Sequence, residues 1–455
     1  MDADSFYRAR DERSAECTEL TDAVVRQVIL HVGADAAKTE RGQQLTESLV
    51  NLLSRIHRRL CLRIPNAPLF RPNRFNANTL SDHCIEIAQA ADPFISLESG
   101  SSSSAISIGI GSDLPRNLDF CVGSNNFAAE LCRRPIQTDL GEGSSIGAAL
   151  AACLGAAAVF RAAIGLPTND SQISLWDFAN GPNIDVGPEL APIIDVGDIV
   201  QVGAGGVGAC VAYWLSHFRV HGQWSFVDHD VVTHGSLNRC LPFFINDIPH
   251  SKANIVASLV GGAPIVGKYH ELASELPRFD LLLPLADEYG VRSLIGHRHE
   301  PILLHATTEG SSWQSQLHRH ISGVDDCIGC RLPEENQLPK LACSNSEMPE
   351  LSNANGPTIH AALPFMSPTA ALLLAASMIH LGMGRLPMMR CNSWRLTYRG
   401  DPIRLRAGLC RCQVNCRIGH PIKLRSKLQT RSIWNYCDPS RLHQTRTSSP
   451  IDRRY

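Results

Sequence analysis

A chain of 455 residues with 44% hydrophobic and 19% charged side chains has the length and composition of two or three ordinary globular domains. Its formal net charge of −2 excludes general nucleic-acid binding, since the one candidate basic patch is the tail after Cys416, with nine Lys and Arg against two Asp and Glu. Met1–Arg13 is charged throughout, so no export signal is expected; the sixteen cysteines then point to a cytoplasmic protein whose clustered thiols serve metal rather than disulfides.

In chain order, the first predicted element is a helix over Glu47–Leu62, with Leu49, Leu52, Leu53, Ile56 and Leu60 on one face. Ala105–Ile110 and Leu118–Val122 are short strand candidates. The glycines of Ile108-Gly-Ile-Gly111 lack a third glycine and an acidic strand end, so no nucleotide signature is legible in this half. Ile146–Phe160 is uncharged but only about 15 residues long, short of the ~20 that span a bilayer. It is Ala-rich and ends at Arg161, and predicts a buried helix over Gly147–Gly165 rather than a membrane segment. The Gly/Pro/Asn-rich stretch Asn180–Pro188 reads as a linker. The chain thus divides into an N-terminal α/β half (1–189), a second half (190–416) and a basic tail (417–455).

The second half alternates. Strand Gly197–Val202, helix Gly205–Phe218, strand Trp224–Val227 ending in Asp228, helix Lys252–Val260, and strands Leu281–Leu285 and Ile302–His305 predict a doubly wound, Rossmann-like α/β domain. Trp313–His320 comes next as a more polar strand, and Ala361–Gly382 as an apolar helix whose start is constrained by Pro364 and Pro368.

Gly203-Ala-Gly-Gly-Val-Gly208 sits between a strand and a helix. Glycines there let the backbone turn tightly and approach a phosphate, and the helix N-terminus offers free N–H groups. Asp228 ends the next strand, where a carboxylate binds ribose hydroxyls. This pair says nucleotide without separating ATP from NAD. Arg239, Lys252 and Asp287 add two cations and a second carboxylate. A dehydrogenase has no need of them. An adenylating enzyme does, because attack on an α-phosphate builds negative charge that Arg and Lys stabilise, while an Asp holds Mg²⁺. Cys327-Ile-Gly-Cys330 is a tight thiolate knuckle, and Cys410-Arg-Cys-Gln-Val-Asn-Cys416 supplies a second pair. Four thiolates bind Zn²⁺ tetrahedrally; Cys412 and Cys416 have the more usual spacing, with Cys410 as the alternative to Cys412.

The order Gly-x-Gly-Gly-x-Gly, Asp-x-Asp, Asn-Arg, Lys, strand-end Asp and Cys pair resembles the ubiquitin-activating-like ThiF/MoeB/HesA superfamily over roughly residues 193–416. The resemblance implies a mixed-sheet adenylation domain that takes ATP, Mg²⁺ and Zn²⁺. Gly203, Gly205, Gly206 and Gly208 would bind the nucleotide with Asp228 on the ribose and Asp230 in support. Asn238, Arg239 and Lys252 would contact phosphates, and Asp287 would hold Mg²⁺. Glu288 replaces an Asn of the family pattern, and Cys240 stands where a Gln often follows Asn-Arg. The structural zinc would sit on Cys327, Cys330, Cys412 and Cys416. Cys343, in a polar segment at the family's crossover position, would take the acyl group as a thioester. The substrate would be a ubiquitin-like protein with a C-terminal glycine, passed on to a conjugating enzyme. Adenylation for sulfur transfer, tRNA or peptide modification is the alternative, and a non-catalytic scaffold of the same fold the alternative of another class. By the same resemblance the first half is a degenerate, inactive copy, giving a monomeric pseudo-dimer, or a homodimer if the halves are unrelated. Arg8 or Arg10 would then reach the ATP site.

Overall fold

The computed structural model describes residues 1–12, 24–100, 102–191, 193–276, 279–287, 289–297, 302–310, 312–321, 325–331, 363–384 and 391–412. Their strands form two eight-stranded sheets. The first holds β1 (Val28–Val32), β2 (Arg59–Arg63), β3 (Ser96–Leu97), β4 (Ile106–Ile110), β5 (Phe120–Asn125), β6 (Ala128–Cys132), β7 (Ser171–Ser174) and β8 (Ala179–Asn180). The second holds β9 (Ile194–Val202), β10 (Val220–Asp228), β11 (Ala263–Val266), β12 (Leu281–Pro284), β13 (Ile302–Glu309), β14 (Gln314–Ile321), β15 (Ser393–Thr397) and β16 (Arg404–Gly408).

The spatial orders are β3-β2-β1-β4-β5-β6-β7-β8 and β11-β10-β9-β12-β13-β14-β15-β16, the same topology twice. In each sheet the first five strands pair in parallel and the last three antiparallel. The fold class expected from the sequence is therefore observed in both halves: α/β, mixed sheet, with the order reversing beside the first strand of each. The first half repeats the topology of the second.

A long apolar helix lies at the same place in each repeat, Ile146–Ala163 before β7 and Met366–Gly382 before β15. The two pack against each other. Ile146–Ala163 is apolar enough and long enough to cross a membrane, but 89% of its window is buried inside the protein, as expected of a core helix. One buried cluster runs from Phe6 through both helices to Leu405, so the halves share a core. Pro368 falls in the first turn of Met366–Gly382, where its missing N–H costs nothing. At the sheet ends, the Asn180 amide donates to the Leu405 carbonyl (2.6 Å) and accepts from the Leu405 N–H (2.7 Å), continuing β8 onto β16 through a side chain.

One expectation is corrected. The predicted helix Glu47–Leu62 is a helix over Glu40–Ser54 followed by strand β2, which carries Leu60 and Leu62. Leucines at helical spacing continued across the Arg55–Arg58 turn, so periodicity alone could not find the break. The strand that runs into Gly111, in which no nucleotide signature was legible, is β4. The true counterpart of β9 is β1, and it ends in Val32-Gly33-Ala34 as β9 ends in Val202-Gly203-Ala204.

The next residue differs between the copies: Gly205 in the second, Asp35 in the first. The Asp35 carboxylate accepts from the Ser112 N–H (2.8 Å), the Ser112 hydroxyl (2.7 Å) and the Thr138 hydroxyl (2.5 Å). A Cβ on Gly111 would lie 2.6 Å from its Oδ1, so Asp35 fills the gap between β1 and β4, the switch point of this sheet. Burial works to raise its pKa, but the Thr138 and Ser112 hydrogen bonds outweigh it and hold the carboxyl down to about 2. A depressed carboxylate stabilises above its unfolded pKa of ~3.9 and loses that contribution as pH falls through the folded value. Asp35→Asn should therefore show a smaller drop in urea midpoint than the parent between pH ~4 and ~2. Equal drops would mean these bonds do not favour the ionised form.

Candidate nucleotide site and thiolate cluster

The second sheet reverses order between β9 and β12, and two loops leave the strand ends there. Gly203 has φ +101°, and a Cβ on it would lie 2.6 Å from the Ala286 nitrogen. Only glycine allows this approach of the β9 turn to the loop that carries Asp287. Gly203 N–H donates to Val227 O at 2.8 Å. The buried Gln201 amide donates to the Gly203 carbonyl (2.9 Å) and the Gly208 carbonyl (3.0 Å), stitching the turn to the helix Gly206–His217. Gly208 is closed in by the Gly203 carbonyl, and Gly206 by Ser367 Oγ and the Arg239 side chain. Gly205, the N-cap of that helix, is different: a Cβ there would meet nothing within 4 Å. The helix N-terminus, its N–H groups unpaired within the helix, opens at this residue.

Asp228 ends β10 and binds back to the turn. Its carboxylate accepts the Ala204 N–H (2.5 Å) and the Asp230 N–H (2.7 Å). A carboxylate has about four acceptor sites, so two bonds leave capacity for a ribose. Lys252, first residue of the helix Lys252–Val260, donates to Asp230 Oδ2 at 2.8 Å. Burial acts to raise the Asp230 pKa, but the Lys252 hydrogen bond and charge, with His229, leave it below the usual carboxylate range. Asp228, His229 and Asp230 can bring one ligand atom each within 4.8 Å of one another.

Arg239 lies against Gly206 and donates to the Gly235 carbonyl at 3.1 Å. Its neighbour Asn238 is 2% exposed and donates to Asp11 Oδ1 at 3.3 Å, so it joins this segment to the N-terminal helix Ala3–Asp11. Asp287 is exposed beside the glycine turn. Arg292 turns back to donate to the Ala286 carbonyl at 2.7 Å, supporting that loop. The structure brings together the glycines, Asp228, Asp230, Arg239 and Lys252, and sets the Asp287 loop against them.

Of the two arginines expected to reach the site, Arg10 is 1% exposed and bound by Asp11 and Asp92 at 2.8 Å each, whereas Arg8 on the same helix is exposed. The structure adds a residue that sequence reading missed. Arg55, fully buried at the end of Glu40–Ser54, donates to the carbonyls of Leu237, Leu241 (2.8 Å) and Phe243 (3.0 Å), and to Asn51 Oδ1 (2.8 Å). The first half thus holds the loop that carries Arg239. No local signal marks Arg55, because all three carbonyls lie more than 180 residues away.

The Sγ atoms of Cys327, Cys330 and Cys412 lie within 4.8 Å of one another. Cys327 N–H donates to Cys412 Sγ (3.2 Å) and Cys330 N–H to Cys327 Sγ (3.4 Å), bonds that favour thiolates. Burial pushes the Cys412 thiol up, to about 11. Three sulfurs so placed fit a tetrahedral soft-metal site with one position left. Cys410 instead accepts from Arg331, so it is Cys412 that joins the two knuckle sulfurs. Cys416, Cys343, Glu288 and residues 417–455 lie outside the described residues.

No family model matches the chain. An uncharacterized protein of Sinorhizobium fredii, y4jF, is 28% identical over 264 residues, 55% of this chain. The chain spans about half (48%) of that relative's length. Among solved structures, E. coli MccB with succinimide overlaps at TM-score 0.38 and 16% identity, covering 49% of this chain and 65% of that one. E. coli MccB with ATP overlaps at TM-score 0.37 and 17% identity, covering 49% and 66%. The microcin C7 biosynthetic enzyme MccB in complex with N-formylated MccA gives 0.37 and 17%, covering 49% and 67%. Likeness of this degree leaves the reading of the site to the chain's own geometry.

Proposed function

We propose that this protein activates a C-terminal carboxylate with ATP, residues 190–416 forming the active adenylating half and residues 1–189 an inactive copy that braces it. One observation carries the reading: the helix N-terminus that opens at Gly205 has a cation, Arg239, packed on the adjacent Gly206. The same opening in the first half is filled by Asp35.

A carboxylate oxygen attacks the α-phosphorus of ATP; the bond to the bridging oxygen breaks, and pyrophosphate leaves with the electron pair. The open N–H groups at Gly205–Val207 bind phosphate oxygens, and Asp228 orients the ribose. Arg239 stabilises the charge that builds on the phosphates, as does Lys252 once a phosphate competes with Asp230 for it. Asp287 would supply a carboxylate for Mg²⁺, and Cys327, Cys330 and Cys412, with Cys416 as the expected fourth ligand, would hold a structural Zn²⁺. We assign the carboxylate to a ubiquitin-like protein ending in glycine, with Cys343 taking the acyl group as a thioester for a conjugating partner; adenylation of a peptide is the alternative within this class.

Carrier-dependent ATP–pyrophosphate exchange tests the chemistry. Asp287→Ala should lower it by about 10²–10³, the usual cost of losing one such stabilising group. Unchanged exchange would remove Asp287 from the mechanism. Cys343→Ala should keep exchange and lose a thiol-sensitive conjugate; a conjugate that survives would rule out the thioester.

A further inference from the structure

The buried end of β9 reads Ile199-Val200-Gln201-Val202, and Gln201 is 1% exposed. A polar side chain enclosed in a core strand carries a desolvation cost that its hydrogen bonds must offset. Its Nε2 donates to the Gly203 carbonyl at 2.9 Å and to the Gly208 carbonyl at 3.0 Å. Both neighbours are acceptors, which fixes the amide with its nitrogen toward the turn. The Gly203 carbonyl is one edge of a peptide whose other edge is the Ala204 N–H, and that N–H donates to Asp228 Oδ2 at 2.5 Å. C=O and N–H point opposite ways in a trans peptide. Holding the carbonyl on Gln201 therefore turns the N–H out to Asp228.

Glycine makes that restraint matter. Gly203 has φ +101° and no side chain, so the Gly203–Ala204 plane rotates at little steric cost unless a bond holds it. Asp228 Oδ1 accepts the Asp230 N–H at 2.7 Å, within its own loop. The Ala204 bond is what ties the carboxylate to the glycine turn. The first half offers a comparison inside the same chain. In the second half, Gln201 pairs with Phe226, two residues before Asp228. In the first, the residue two before Gly33 is His31, and its register partner Arg63 lies two residues before Pro65. The copy that lacks the carboxylate also lacks the amide.

We propose that Gln201 is a positioning residue for sugar recognition: through the Gly203–Ala204 peptide it holds the Asp228 carboxylate where it receives the ribose hydroxyls of the nucleotide. The inference rests on Asp228 binding the ribose, as in the function proposed above. It adds that preference for ribose over a sugar without hydroxyls is set from beneath the turn, by a side chain enclosed in the strand. Without the amide, the peptide plane turns away, Asp228 Oδ2 loses its N–H partner, and the carboxylate is held at Oδ1 alone. The N–H groups at Gly205–Val207, which take the phosphates, stay on their helix. The loss therefore falls on sugar discrimination more than on nucleotide affinity as a whole.

Gln201→Met keeps the length of the side chain and removes its donors; Gln201→Leu is a second donor-free variant and should give the same results. Two measurements on the full chain keep the inference apart from the reading it rests on. In the ligand-free protein, the Ala204 amide should exchange with deuterium about tenfold faster in Gln201→Met than in the wild type, while the amides of Lys252–Val260 keep their rates. In calorimetry, the wild type should bind ATP about tenfold more tightly than dideoxy-ATP, which lacks both ribose hydroxyls, and Gln201→Met should bind the two within about threefold of each other. Wild-type exchange at Ala204 in both folded variants would overturn the proposal, and so would an undiminished preference for ATP. A wild type that shows the exchange difference but binds ATP and dideoxy-ATP equally would remove Asp228 from the ribose, and with it the role proposed for Gln201, which would then support the turn alone.

Discussion

Arg55→Met is expected to destabilise the protein by about 2–4 kcal/mol and to weaken adenylation with it. Two effects oppose each other. Burial lowers the Arg55 pKa to about 10, so its charge is held at a cost of about 3 kcal/mol relative to water, which methionine removes. Against that stand the carbonyls of Leu237, Leu241 and Phe243, which Arg55 satisfies. A buried acceptor stripped of its partner costs about 1–3 kcal/mol, and Asn51 Nδ2, 3.2 Å from Leu241 O, covers only that one in part. The orphaned carbonyls outweigh the relieved charge. Because they flank Asn238–Cys240, the loop that carries Arg239 loses its anchor. Pyrophosphate exchange should then fall further than the folded fraction does. Urea unfolding and exchange measured on the same protein check both parts; a variant as stable as the parent would show that the halves do not communicate through this residue.

Gly205→Asp should fold normally and lose ATP. Gly205 has φ −73°, which suits any residue, its Cβ direction is open, and Asp is a favoured N-cap. The new carboxylate would sit on the helix N–H groups and oppose the phosphates. A like charge about 4 Å away is worth about 4 kcal/mol at an effective dielectric of 20, near a thousandfold in Kd. Gly205→Ala should bind far better than the Asp variant. Gly203→Ala is the contrasting control: with φ +101° and a Cβ 2.6 Å from the Ala286 nitrogen, it should lower Tm before any ligand is added. Calorimetry with ATP decides. Undiminished affinity in Gly205→Asp would place the phosphates elsewhere and undo the adenylation reading.

Much of the second half was legible in the chain. The glycine turn, Asp228, the helix Lys252–Val260 and the strand at Leu281 stand within two or three residues of where they were read, because each is written in local pattern: an apolar run, a turn, a cap. The first half was less legible. Its repeat of Val-Gly-Ala at residues 32–34 was present, but it went unread as the counterpart of Val202–Ala204. A short strand that is buried along its whole length, as β1 is, has no alternation to announce it.

The sequence by itself determined which groups the proposed nucleotide end offers, since glycine, carboxylate and cation types at those spacings are what phosphate and ribose would require. It also determined that Cys327 and Cys330 belong together. Tertiary structure alone decided that Asp35 occupies the first switch point, that Arg55 holds the Arg239 loop, and that His305, His318 and His320 share one buried face. Each of these is a contact between strands or halves far apart in the chain. Its energy comes from burial and from hydrogen bonds that exist only once the two sheets share a core, and no local pattern of residues encodes it.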